Sequence, residues 1–559
     1  MPTPVELRLL TGPNVYFTRP AVKLTLDASG VLEADPARVV GWQRALRTPD
    51  HAVGLPGSPT RAVAAAELAA ALVRRAGYRL GLRVAAIATP ADDNTVVVAF
   101  PFRRRGIGEA FGEEVAAAYR AVTVDGATPS AALAGIKERV TGREPGEPVR
   151  PLRPRIPVIA VTGTNGKTTT TRLIAHLMRA DGRVPGWSST DGIVIDGETV
   201  ETGDWSGPGG AARVLEDPRV TVAVTETARG GILLRGVGTA VNDVSVVTNI
   251  SADHLGLLGV HTIEQLAEVK SVVARITKPT GWTVLNADDP LVRAMRTVSR
   301  ARPWFYSPDP ENPYLAEALD AGGRAITVLD GVIAVLERGL EPRLLLPVAE
   351  VPLTLAGTSR VNVANTLAAT AAALAIGAKP DAVREGLRTF SSSAADNAGR
   401  LNVYGVGTCA VVLDLAHNEA SLESLLEVAG RLRTGSGELV AILGTAGDRT
   451  DEAIHAMGSI AAAAADRLMI AGKDKYLRDR APGEMEQLWR AGAAEAGTLD
   501  VPEAPDELTA LATILDSDLP EGSAVAVCAL EQRAEMAEEI LRRGGREMDA
   551  AEIAARVHG

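Results

Sequence analysis

The segment Ile159-Ala-Val-Thr-Gly163-Thr164-Asn165-Gly166-Lys167-Thr168-Thr169-Thr170 carries the clearest chemical signal in the chain. An apolar run ends, two glycines allow a tight backbone turn, and a helix is expected to begin at the lysine. A helix N-terminus presents unpaired N–H groups, and with Lys167 beside them these can hold the β- and γ-phosphates of a nucleotide. Thr168 stands where its hydroxyl can reach Mg2+. The spacing Gly-x-x-Gly-Lys-Thr is shorter than the ordinary phosphate loop and fits generic P-loop kinases less well. The competing reading is a ligand-free strand-to-helix turn, and the strand before it and amphipathic helix after it weigh against that.

Two further residues follow apolar strands, at the end where open parallel sheets bind ligands. Glu226 follows the run at 220–225, and His254 closes Val247-Thr-Asn-Ile-Ser-Ala-Asp-His254. A hard carboxylate oxygen suits Mg2+ better than an imidazole does. Singly, each is an ordinary loop residue; together, downstream of a phosphate loop, they read as completing a magnesium site at the γ-phosphate. Lys270 is a third candidate. Thr262-Ile-Glu-Gln265 has the form of a capping box, and Leu266, Lys270 and Val273 then share one helix face that is otherwise apolar. A lysine on a core-facing stripe is costly unless paired or modified, although a snorkelling surface lysine fits the same spacing.

The elements that must position these groups fall into three blocks of a 559-residue chain. The expected fold class is α/β. An N-terminal α+β domain spans 1–145, with strands at 5–10, 21–26 and 95–100, a helix at 61–76 ending at Gly77, and a second helix at 108–122. A Pro-rich, charged stretch over 143–155 has linker composition, and the linker proper is placed at 146–155. A central P-loop α/β domain with a mostly parallel sheet spans 156–398, its strands at 156–161, 220–225, 244–249 and 282–286. Asp330-Gly331 predicts a hairpin turn within 325–337. A C-terminal Rossmann-like α/β domain spans 399–559, with strands at 410–415, 439–443, 467–471 and 524–528.

Composition agrees with a soluble enzyme: 46% hydrophobic, 23% charged, net charge −11. That charge argues against a nucleic-acid partner, leaving room only for a local basic pocket. No stretch reads as a signal peptide or membrane span, so no membrane and a cytoplasmic location are expected. Cys409 and Cys528 sit in apolar runs and read as buried, inert thiols.

These motifs resemble the Mur ligase superfamily. The resemblance rests on residues 163–168, Thr248-Asn-Ile-Ser-Ala-Asp-His254, the Lys270 helix, Asn286-Ala-Asp-Asp-Pro290, Asn362-Val-Ala-Asn365, Asn397-Ala-Gly-Arg400 and Asp414-Leu-Ala-His-Asn418. Val361 stands where the family has His, and Ala398 where a proline is common. Glu226-Thr-Ala-Arg-Gly-Gly-Ile-Leu-Leu-Arg235, Gly447-Asp-Arg449 and Lys473-Asp-Lys-Tyr-Leu-Arg478 are similar to the ligase portion of cyanophycin synthetases, and Leu10–Tyr16 to their N-terminal domain. The ATP-grasp domain of those enzymes has no counterpart in this sequence, and the helix at 61–76 lacks their histidines.

The resemblance implies an ADP-forming ligase that joins an amino-acid amine to the carboxylate of a small peptide or amino acid through an acyl phosphate, using ATP and Mg2+. It implies a nucleotide site of Gly163, Thr164, Asn165, Gly166, Lys167, Thr168, Thr169 and Asn362, with Asn286 near adenine, and Arg400 and Asp414 reaching over from the C-terminal domain. It implies catalytic and metal roles for Lys167, Thr168, Glu226, His254 and a carbamylated Lys270. Candidates for amine recognition are His417, Asn418, Asp448, Arg449, Lys473, Asp474 and Arg478. Assembly into a homo-oligomer stays open, as do two rivals: a Mur or folylpolyglutamate-type ligase on another acceptor, and a nucleotide-binding scaffold for a partner ligase.

Overall fold

A computed structural model describes residues 6–48, 52–92, 94–478 and 480–558, with Asp474 described by its backbone alone. Val5, expected to open the first strand, and the side chain of Asp474 lie outside the described residues. Three sheets organise the chain.

The first sheet is antiparallel, in the order Glu6–Leu10, Ala21–Asp27, Thr95–Pro101, Ile87–Pro90. Period-2 alternation along Ala21–Asp27 turns Val22, Leu24 and Leu26 onto the helices Pro59–Arg79 and Arg105–Thr123. The first of these helices was expected to stop at Gly77, and it continues two residues further. Its start is fixed by Ser58, whose hydroxyl accepts from the Arg61 N–H, with Pro59 in the first turn. Gly77 serves packing: a Cβ there would lie 2.5 Å from a Val84 methyl carbon, so glycine lets the returning chain approach.

The second sheet has a parallel core running Arg324–Leu329, Arg302–Tyr306, Thr277–Asn286, Asn242–Val247, Val158–Thr162, Val222–Glu226, Pro185–Ser189. The strands preceding the phosphate loop, Glu226 and the Thr248-to-His254 segment are therefore adjacent, and their carboxyl ends open at one place. The expected hairpin forms between Arg324–Leu329 and Val332–Leu336, with Asp330 and Gly331 at φ of 47° and 77°. The helix Ile263–Arg275 starts with the expected capping box of Thr262 and Gln265.

The third sheet is Glu503–Ala504, Arg467–Ala471, Leu439–Leu443, Ala524–Cys528, Cys409–Asp414, all parallel, then Asn402–Val406 and Arg546–Glu547 antiparallel at the edge. Both cysteines are free and buried. No helix among the described residues is long and apolar enough to cross a membrane.

The turn at Leu10–Tyr16 docks the N-terminal unit on the central one. Thr11 and Gly12 donate their N–H groups to the Arg235 carbonyl (2.8 and 3.1 Å), and the Val237 N–H returns to the Pro13 carbonyl (2.7 Å). Buried Asn14 holds the turn, its amide donating to the Gly12 and Arg19 carbonyls while its oxygen accepts from Tyr16 and Phe17. Arg275, on the helix that carries Lys270, donates to the Val15 carbonyl. A Cβ on Gly12 would meet the Val237 oxygen at 1.9 Å. Gly12→Ala is therefore expected to cost about 1–3 kcal/mol of docking. The measurement is limited proteolysis beside thermal melting: faster cleavage within 143–155 and a lower first transition are expected, and unchanged protection would contradict the docking role.

Candidate functional site

The phosphate loop exists because two backbone positions admit only glycine. Gly163 and Gly166 adopt φ of 146° and 82°. A Cβ would lie 1.9 Å from Thr248 Oγ1 at Gly163 and 2.3 Å from Asn365 Oδ1 at Gly166. The helix Lys167–Ala180 then begins with no side chain capping its first turn, which leaves its N–H groups for an anion. Lys167 curls over the loop and donates to the Thr164 carbonyl (2.7 Å).

The segment after the neighbouring strand is the scaffold of this loop. Thr248 Oγ1 donates to the Asn165 carbonyl (2.6 Å), Asn249 Nδ2 donates to the same oxygen (3.0 Å), and Asn249 Oδ1 accepts from the Asn165 N–H (2.9 Å). Thr164 exchanges bonds with the Ser251 backbone. From the helix Arg360–Ala375, Asn365 Oδ1 accepts from Thr170 Oγ1 (3.3 Å) and its amide donates to Asn362.

Glu226 and Lys270 lie buried at the foot of the loop, 2% and 3% exposed. Thr168 Oγ1 donates to Glu226 Oε2 (2.9 Å), while Glu226 Oε1 is buried with no partner. Burial pushes the Glu226 carboxyl above its usual range, against Lys167, the Thr168 bond and Arg400, which favour the anion. Lys270 Nζ donates to the Gly163 carbonyl. Burial, with Lys167 as a like charge, drives its pKa well down, opposed by Asp253 and Glu226. The apolar-stripe lysine is thus a core lysine rather than a snorkelling one.

A buried carboxylate oxygen with an open lone pair beside the Thr168 hydroxyl fits a hard divalent cation. Among the described residues no group of three or more His, Cys, Asp or Glu is gathered for a metal. A cation here would take one or two protein oxygens and fill its sphere with water and phosphate, as Mg2+ commonly does.

His254 departs from the expected pairing with Glu226. Its backbone is left-handed (φ 52°), and its ring faces the C-terminal unit, with Arg449 Nη1 at 2.8 Å and Asp448 Oδ2 at 3.1 Å from Nδ1. No polar contact joins it to Glu226 among the described residues. Arg449 is buried and also reaches the His417 carbonyl (3.0 Å) and Asp253 (3.5 Å). Burial pushes Asp253 up, yet His254, Arg449, His417 and Lys167 together hold it below the usual carboxylate range.

The C-terminal unit, with Asn397 just before it, closes on the loop directly. Arg400 Nη2 donates to Thr168 Oγ1 (3.4 Å), Asn397 Nδ2 donates to Thr169 Oγ1 (3.2 Å), and the Asn418 and Asn165 amides pair reciprocally (3.2 Å each). A cleft results, lined by residues 164–169, Asn362, Asn365, Arg400, Asp414 and His417. Burial raises Asp414 to about 6, against Arg400 and a bond from the Leu401 N–H. Burial lowers His417 to about 4, although Asp253 pulls it up.

Three expected residues stand elsewhere. Asn286 is outside the lining of this cleft and donates to the Thr248 carbonyl (2.9 Å), bracing the scaffold. Lys473 is buried inside the C-terminal unit against Glu507, packed where Gly444 leaves space. Arg478 lies over the Tyr476 ring (5.6 Å). Sequence reading singled out neither Asn397 as a site residue nor Arg172. Arg172 bonds Asn397 (3.3 Å) and pairs with Asp191 (2.8 Å). Asn397 was within reach as a member of the Asn-Ala-Gly-Arg motif; Arg172, on a helix of mixed polarity, carried no signal.

The family described as the Mur ligase middle domain matches residues 161–373, and that described as Mur ligase, glutamate ligase domain, matches residues 399–530. A cyanophycin synthetase from Synechocystis sp. is 42% identical over 327 residues, which are 58% of this chain and 37% of that enzyme. The match thus spans a little over a third of that relative's length. A UDP-N-acetylmuramyl-tripeptide synthetase from Deinococcus radiodurans is 31% identical over 348 residues, 60% of this chain and 65% of that one. The structure of a pseudomurein peptide ligase type C from Methanothermus fervidus is 19% identical with a TM-score of 0.49, covering 70% of this chain and 79% of that one.

Asp414 and His417 oppose each other in acid. The raised Asp414 makes the folded state bind more protons, so its stability contribution falls as pH rises from 3.8 towards about 6. The lowered His417 makes the unfolded state bind more, so its contribution falls as pH drops from 6.5 towards about 4. Asp414→Asn is expected to gain more in melting temperature over the wild type at pH 7 than at pH 4. His417→Gln is expected to show the reverse trend. Parallel melting curves for all three proteins across this window would contradict the burial described.

Proposed function

The chain carries the middle and C-terminal domains of the Mur ligases, and from that premise we propose that it is an ATP-dependent, ADP-forming ligase making an amide or isopeptide bond. The observation that carries this reading is the direct grip of Arg400 and Asn397, from beyond the central sheet, on Thr168 and Thr169 of an uncapped, glycine-turned helix start. Such a grip serves a triphosphate whose charge must be neutralised from two sides.

In the proposed reaction an acceptor carboxylate oxygen attacks the γ-phosphorus of ATP, ADP leaves, and an acyl phosphate forms. An amine then attacks the acyl carbon, the tetrahedral intermediate expels phosphate, and the nitrogen gives up a proton. Lys167 and the helix N–H groups would hold the β- and γ-phosphates; Arg400 would meet the γ-phosphate from the other side. Mg2+, held by Thr168 and Glu226, would supply charge neutralisation on the phosphate oxygens. Burial disfavours the Lys270 ammonium; the neutral amine would add to carbon dioxide and release a proton to water, giving a carbamate that would place an anion next to Gly163. His254 in this reading belongs to the cluster of Asp253, Asp448 and Arg449, which joins the two units beside His417.

Amine recognition is proposed for His417, Asn418, Asp448 and Arg449, which border the cleft or this cluster; Lys473 in its buried pair fits a supporting role. The proposed divisions are 1–145, 156–398 and 399–559, and the need for ATP suits the cytoplasm. An amino acid joined to the carboxylate of an aspartyl peptide is the substrate pair favoured by likeness to cyanophycin synthetase.

The test is ADP release with a panel of amino acids against aspartyl peptides and other acidic acceptors. Turnover that needs both substrates is expected, with Lys167→Ala lowering it by about 10^2-fold or more. Lys270→Ala is expected to abolish it and short carboxylates such as formate to restore part of it. ADP release that ignores both substrates throughout the panel, or a fully active Lys270→Ala protein, would overturn the reading.

A further inference from the structure

The N-terminal unit holds a cavity of about 550 Å³, far from the phosphate loop in sequence and lined by other residues. Its open apolar lining is Leu80, Leu82, Val84 and Ile107, with Leu82 54% exposed, while the neighbouring Phe100, Phe102 and Phe111 are already buried in the core. Its rim is cationic: Arg19, Arg83, Arg103 and Arg104 surround the mouth, and no carboxylate lines it. In a chain of net charge −11 this is a local reversal of sign.

The rim arginines are also unspent. Among the described residues, Arg83 and Arg103 make no side-chain hydrogen bond or ion pair, Arg104 makes one bond of 3.3 Å to the Gly146 carbonyl, and Arg19 meets only the Phe17 ring at 6.0 Å. Neighbouring arginines do have carboxylate partners: Arg105 with Glu109, Arg139 with Glu114, Arg143 with Glu113. Guanidinium forks match an oxyanion in pairs, and an exposed aliphatic lining gains by losing water. The volume is that of a small-molecule site. A hydrophilic polyanion would satisfy the rim and leave Leu82 and its apolar neighbours wet.

We propose that this pocket binds a small anionic amphiphile, its apolar body on Leu80, Leu82, Val84 and Ile107 and its carboxylate or phosphate head among Arg19, Arg83, Arg103 and Arg104. The site is separate from the ligase reaction and stands whether or not that reading holds.

Calorimetric titration of the full chain with decanoate, decyl phosphate and decylammonium tests it. One or both anions are expected to bind with one site per chain, and decylammonium not to bind. Arg83→Ala/Arg103→Ala, two exposed positions, is expected to weaken the anion roughly tenfold or more without moving the melting temperature. Lys167→Ala is expected to leave it unchanged, separating the pocket from the nucleotide cleft. Absence of binding by both anions, equal binding of decylammonium, or unchanged affinity in the double variant would overturn the proposal. Displacement of decanoate by poly-aspartate at equal charge would overturn it too, showing a polyanion track instead.

Discussion

Everything at the candidate site depends on a helix start that is left without a cap. Gly163 and Gly166 take backbone angles that favour glycine, and the space a Cβ would need is filled by Thr248 and Asn365. The turn therefore cannot relax into an ordinary strand-to-helix connection, and the first N–H groups of Lys167–Ala180 stay without side-chain partners. Unpaired donors in a cleft are costly unless an anion or water meets them. The surrounding structure fixes this arrangement rather than relieving it: Thr248, Asn249 and Ser251 bond to the loop backbone, and the buried Lys270 bonds to the Gly163 carbonyl.

The same loop is where the sheets meet. Arg400, Asn397 and Asn418 reach it from the chain leading into and through the C-terminal unit, so the cleft is complete only when that unit is closed. Buried titratable groups collect here: burial and neighbouring charges move the pKa values of Glu226, Lys270, Asp253, Asp414 and His417 from their ordinary ranges. Groups moved from their solution behaviour around one loop are a mark of chemistry. The N-terminal unit reaches the site indirectly, because its Leu10–Tyr16 turn leans on Arg235 and on Arg275, next to the Lys270 helix turn.

Much of this was legible in residue order. Strands at 439–443, 467–471 and 524–528 showed as short apolar runs between turn signals, and they form with those bounds. The Asp330-Gly331 hairpin and the Thr262 capping box are local devices whose chemistry is written in adjacent residues. Long-range partners were not legible. His254 follows a strand as a metal ligand would, and only the approach of Arg449 and Asp448, about 195 residues away, turns its ring. Lys473 sits in a motif, but its burial depends on the gap at Gly444 and on Glu507. Arg172 became visible only once Asn397 lay against it. The helix Pro36–Leu46 was passed over although Asp35-Pro36 is a cap signal, because its polar and apolar residues show weak periodicity.

The most direct measurement is a crystal structure with a non-hydrolysable ATP analogue and Mg2+. The account predicts the β- and γ-phosphates against the N–H groups of residues 166–169, with Lys167 released from the Thr164 carbonyl, Arg400 on the γ-phosphate and the cation on Thr168 and Glu226. A nucleotide bound elsewhere, with Lys167 still folded over its own loop, would contradict it.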